Sequence, residues 1–98
     1  PNVAALDGST PLHAAVVAGA PELVELFLQR GAFINAQDEE GDTALHYAVR
    51  ENRPQVAELL VKKGADSNIK NADDETALDL AADIGESDLI ATLTKLAC

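Results

Sequence analysis

Aromatic residues are almost missing from this chain. Tyr47, Phe27 and Phe33 are the only ones, and Trp and Met do not occur at all. Apolar residues nevertheless make up 47% of the sequence, so Ala and Leu must do the packing. That suits thin helices set close together. Basic residues are scarce as well: 7 Lys and Arg stand against 17 Asp and Glu, for a formal charge of −10. Such a balance speaks against binding a nucleic-acid backbone, which needs cations to displace counterions. Cys98 is the sole cysteine and is terminal, so no internal disulfide can form. A reducing compartment, cytoplasm or nucleus, is therefore expected, with Cys98 a bystander thiol. No long apolar run or leader pattern is present, and a membrane span or secretion has no support. The length fits one domain, near the lower end for a self-sufficient core.

What the chain does have is a period. Thr10-Pro11-Leu12-His13, Thr43-Ala44-Leu45-His46 and Thr76-Ala77-Leu78-Asp79 follow one another at intervals of 33 residues. The same offset superimposes Asn2, Asn35 and Asn68, and it aligns Gly31 with Gly64. A fixed spacing of this size marks a stacked repeat protein, in which each unit covers its neighbour's apolar face.

Within a unit, a threonine precedes an apolar rhythm such as Leu45, Ala48 and Val49, spaced for one helix face. Thr10, Thr43 and Thr76 can cap the orphan amides of that helix, and Pro11 sits where a missing amide costs nothing. The first helix stops near Gly19, Asn52 or Gly85, and a second begins at Pro21, Pro54 or Ser87. Gly31 and Gly64 follow Arg30 and Lys63, a basic last turn ended by glycine. Between the helix pairs, Ala32 to Asp42 and Ala65 to Glu75 are rich in Asn, Asp and Gly, which predicts a projecting arm close to a β-hairpin.

These phrases resemble the ankyrin repeat family, whose units carry a T-P-L-H-x-A motif at this period. Thr10-Pro11-Leu12-His13-Ala14-Ala15 matches it, and Thr43-Ala44-Leu45-His46-Tyr47-Ala48 departs only at the proline. The resemblance covers the whole chain and implies an all-α solenoid of stacked helix-turn-helix units with short β-hairpin-like loops. It is one domain, 1–98, with repeats at about 7–39, 40–72 and 73–98. The last repeat diverges: Asp79 replaces histidine, and Thr92 and Thr94 stand at apolar positions, as a capping unit requires. The chain opens on the tail of a unit, Asn2-Val3, and is expected to be a piece of a longer array. An outer face of repeat one formed by Leu12, Val16, Leu23 and Phe27 would then have met another repeat.

Catalytic chemistry is not legible. His13 and His46 lie one repeat apart, roughly 10 Å between stacked helices, too far for one zinc with bonds near 2 Å. Resemblance instead implies that each imidazole bonds the capping threonine and the neighbouring loop backbone. Asp38-Glu39-Glu40 and Asp73-Asp74-Glu75 lack the alternating ligands of a calcium loop. There is no phosphate loop, CxxC pair or nucleophile elbow, and no cofactor or metal is implied. No enzyme activity is expected within these residues.

Ankyrin domains use the arm tips and the inner face of their first helices, which carries a binding role onto particular positions. They are Gln37, Glu39, Glu40, Asp42, Arg50 and Glu51, then Lys70, Ala72, Asp73, Glu75, Asp83 and Ile84, and in the first unit Ala4, Leu6, Ser9, Val17 and Ala18. They form an acidic ridge suited to a protein partner with a basic patch, bound by a monomer without nucleic acid or membrane. For Tyr47 two readings stand, an exposed anchor for a partner or a filler beside its neighbours. Leu60, Asp66 and Asn68 match the spacing of ankyrin repeats that undergo asparaginyl hydroxylation. The phrases around Thr43 and Thr76 also look like those of Arf GTPase-activating proteins, which leaves an accessory region of a multidomain enzyme as the alternative to a scaffold.

Overall fold

A computed structural model describes residues 10–85, 90, 91 and 93. Five helices are defined: α1 Pro11–Ala18, α2 Pro21–Gln29, α3 Ala44–Arg50, α4 Pro54–Lys62 and α5 Ala77–Ile84. Ile90, Ala91 and Leu93 are also helical. No strand occurs among the described residues.

The capping chemistry predicted from the threonines sets where the helices start. Thr43 accepts the His46 amide through Oγ1, and Thr76 accepts that of Asp79, both from extended backbone. Proline opens α1, α2 and α4. Gly19 and Gly85 end α1 and α5 in the left-handed conformation, as does Asn52, at φ 54°, just after α3. Helix lengths are therefore fixed locally, at 7 to 9 residues. Such helices are too short to be stable alone. Packing must hold them.

That packing is a two-row stack. α1 lies on α2 and α3 on α4 within a repeat; between repeats α1 meets α3, α3 meets α5, and α2 meets α4. One continuous core runs through all rows, from Leu12 and Val16 through Leu45, Val49 and Leu60 to Ala81 and Leu93. Alanines 15, 44, 48, 57, 77 and 81 are buried between helices, where a larger side chain would force the axes apart. Leu12 and Val16 correct the sequence reading: they belong to this core and not to an outward face. Both are sealed, and only Leu23 of the four keeps large exposure, at 40%.

The arms reverse tightly but form no ladder. Asp38 N–H donates to the Asp42 carbonyl and Gly41 N–H to the Asp38 carbonyl, each at 3.0 Å. Asn71 N–H donates to Glu75 O in the next arm, also at 3.0 Å. Side chains take further amides: Asp38 Oδ1 accepts from Glu40 and Asp42, and Asn71 Oδ1 from Asp73 and Glu75. These local bonds compete with a longer hairpin ladder for the same donors.

Candidate functional site

The two histidines lock each arm to the preceding helix. In repeat one, the Thr10 N–H donates to His13 Nδ1 at 3.0 Å, and Nε2 lies 3.0 Å from the Asp42 carbonyl. In repeat two the same pair is Thr43 N–H to His46 Nδ1 at 3.1 Å and Nε2 to Glu75 O at 2.8 Å. A backbone N–H can only donate and a carbonyl can only accept, so Nε2 carries the proton in both rings. Each imidazole thus spans 29 residues of sequence and is buried.

Neighbouring arms are also bonded to each other. Ala72 N–H donates to Glu40 O at 2.8 Å, and Gln37 Nε2 donates both to Gly41 O at 2.8 Å and to Lys70 O at 3.2 Å. Lower on the same stack, Asp66 N–H donates to Asn35 Oδ1 at 2.9 Å. Under the tips lies a buried carboxylate. Asp42, 2% exposed, accepts from Arg50 through both guanidinium nitrogens, at 2.9 and 3.3 Å, and from Asn71 Nδ2 at 2.9 Å. Two arms and one helix end meet at this single side chain.

Several candidates are exposed. Glu39, Glu40, Lys70, Ala72 and Asp73 are exposed on the arms; Val17, Ala18, Glu51, Asp83 and Ile84 are exposed at the C-terminal ends of the first helices. Lys70 is partly spent on Asp74, 3.6 Å away. Asp42 and Tyr47 depart from their predicted places on the free surface. Asp42 is sealed beneath the arms, and Tyr47 is half-buried, its hydroxyl donating to Asp38 Oδ2 and its ring meeting His13 edge-on at 4.8 Å. Tyr47 thus touches both the arm and α1 while staying half-buried. Arg50 is held by Asp42, Glu75 is half-buried, and Gln37, though exposed, uses its amide to join the arms. Asn68 is exposed, its N–H donating to Asp66 Oδ1. Ala4, Leu6, Ser9 and Cys98 lie outside the described residues, as do Thr92 and Thr94.

Sequence reasoning weighed Asp38 only as a calcium ligand and passed over Asn71 and Arg53. The first two stand 33 residues apart and cap equivalent turns, a signal the period could have supplied. Arg53 Nη2 donates to Val17 O at 3.2 Å, a bond across repeats that no spacing announces. Among the described residues no three His, Cys, Asp or Glu side chains gather as a metal site, and no helix is long and apolar enough to cross a membrane.

The Asp42 network makes stability depend on acid. Burial pushes its carboxyl up, but hydrogen bonds from Arg50 and Asn71, with the Arg50 charge, hold it below the ordinary value. A depressed folded-state value adds stability that is complete above the unfolded value, about 3.9, and is lost as pH falls through the folded one. Asp42→Asn should cost about 1–3 kcal/mol near neutrality, by stranding part of the Arg50 and Asn71 bonding. The variant should also lose less of its remaining stability on acidification below about pH 4. Urea midpoints collected down a pH series measure both; parallel acid slopes for the two proteins would place Asp42 outside any titrating network.

The family model described as ankyrin repeats, three copies, matches residues 1–71 and 39–98, which together span the chain. No curated protein matches it closely enough to report. The chain belongs to the ankyrin repeat family. Such repeats are in general modules of protein–protein interaction and typically not catalysts.

Proposed function

We propose that this ankyrin-repeat chain is an adaptor that holds a protein partner against its arm tips and the exposed ends of α3 and α5. The partner offers basic groups. The observation that carries this reading is the row of exposed acids Glu39, Glu40, Asp73 and Asp74, set on arms whose backbones are bonded side by side. Acids fixed at constant spacing pay little ordering cost when a partner arrives. The formal charge of −10 supplies the same sign over longer range and would steer a cationic surface inward. Val17 and Ile84 give apolar contact at the two flanks, at 39% and 44% exposure. The chain acts as a monomer in this scheme and performs no chemistry on its partner.

Capture from a cell extract, identification by mass spectrometry and stopped-flow mixing with the purified partner test the reading. Reversing three charges together (Glu39→Lys, Glu40→Lys and Asp73→Lys) should slow association about tenfold or more at low ionic strength. The difference should shrink in high salt, where exposed charges are screened. Association indifferent to the reversal would remove the acidic rim from recognition.

A further inference from the structure

A groove of about 280 Å³ opens between α2 and α4, lined by Glu25, Leu28, Gln29, Ala32, Ile34 and Lys63. It lies between two helices that pack on each other, inside the stack. Leu28, Ala32 and Ile34 are packed against the core behind it, which fixes an apolar floor. The volume falls short of a usual small-molecule pocket, about 300–1,000 Å³. It suits one protruding side chain of a protein.

Residues 29–34, which supply three of the lining side chains, depart from their counterparts one repeat on. Phe33 stands where the next repeat has Asp66, and Ile34 where it has Ser67. Asp66 serves the fold: its Oδ1 accepts the Asn68 N–H at 2.9 Å. A phenyl ring offers no such acceptor. Phe33 is instead 68% exposed, more than any other large apolar residue described. Asp66 is exposed too, although its repeat has α2 on one side and α5 on the other. Openness therefore belongs to the position. A ring left in water gains little from folding, whereas Phe and Arg are both enriched at interfaces.

The charges nearby have the sign opposite to that of the arm tips. Arg50, Arg53, Lys62, Lys63 and Lys70 each have a partner. Arg30, three positions before Phe33, has no side-chain partner among the described residues, in a chain with ten more acids than bases. Lys63 is loosely held, 3.8 Å from Glu25 with both side chains nearly half exposed, and such a pair contributes little. Residues 29–34 contain no acid.

We infer that this groove, with the neighbouring Phe33 and Arg30, is a second docking surface, for an acidic segment of a partner protein. An apolar side chain of the segment enters against Leu28, Ala32 and Ile34, and its carboxylates meet Arg30 and Lys63. The net charge of −10 repels such a segment at a distance, so its hold comes from contact at the groove. The chain then carries two partners of opposite charge at separate places.

The probe is a peptide with a Leu-Phe pair flanked by aspartates, added to the isotope-labelled full chain and followed by heteronuclear NMR. Amide shifts should appear at Ala32, Phe33, Ile34 and Lys63, and not at Glu39 or Glu40. A lysine-flanked peptide should bind at least about tenfold more weakly. Phe33→Asp, which installs the residue of the next repeat, should weaken binding about tenfold or more. Arg30→Glu, a change at an exposed site, should do the same. Reversing the rim (Glu39→Lys, Glu40→Lys and Asp73→Lys) should not weaken it, which separates this assignment from the acidic-rim reading. No shifts at about 1 mM peptide, or shifts centred on the arm tips, would overturn the assignment. So would equal binding of the two peptides, or binding unchanged by Phe33→Asp.

Discussion

Leu45→Ala should lower the unfolding free energy by about 2–5 kcal/mol, the range for emptying a buried leucine site. Leu45 is 1% exposed and sits at the middle of the only core the described residues share. Its helix is flanked by α1 on one side and α5 on the other. Collapse around the vacated volume is therefore resisted from both sides, which places the cost towards the upper end. In a stack held by nearest-neighbour interfaces, one damaged interface also uncouples units that have little stability alone. A domain of this size holds about 5–15 kcal/mol in total. The comparison that isolates the argument is Leu78→Ala, the same residue type at the same register one repeat on, 38% exposed. That change should cost less than about 1 kcal/mol. Urea titrations followed by far-ultraviolet circular dichroism give both values. Similar costs at the two positions would mean that Leu45 does not contribute to the core as its burial indicates.

That contrast also shows what the sequence could and could not reveal. The threonine caps, the glycine stops and the histidine register were legible because each is local or repeats at a constant offset. Three copies turn a weak motif into a strong one. Burial between units was not legible in the same way. Nothing in Asp42 by itself separates it from Glu39 or Glu40; it is sealed because Asn71, 29 positions later, arrives with an amide, and Arg50 folds back over it. Nothing in the sequence places the Tyr47 hydroxyl on Asp38 or its ring beside His13. Leu12 and Val16 read from the sequence as an outer surface because helical spacing says which residues share a face but not which neighbour that face meets. The candidate rim was thus half visible. Its acidic tips followed from composition and position, while the bonds that fix their spacing are pairings between repeats that no periodicity encodes.

The strongest of those fixed spacings can be broken by one methyl group. Gly41→Ala should cost about 2–5 kcal/mol, whereas Gly31→Ala should cost about 1–2 kcal/mol, although both glycines have positive φ. At Gly31, φ is 91° and an added Cβ meets nothing within 4 Å, so only the left-handed backbone penalty applies. At Gly41, φ is 77° and the Cβ would come within 2.8 Å of Ala72 N and 3.0 Å of Asn71 Cα. Those are backbone atoms of the next arm and cannot rotate aside as a flexible side chain would. Ala72 N is also the donor to Glu40 O. Relieving the clash must therefore lengthen the bond that holds one acidic tip beside the next. The loss should appear twice, as a lower urea midpoint and as faster hydrogen exchange at the Ala72 amide. Recognition should weaken together with that amide's protection, because the acids would no longer keep a constant separation. If Gly41→Ala and Gly31→Ala proved equally costly, the arms would have to move independently, and a rim of independent fingers has no fixed charge pattern to offer a partner.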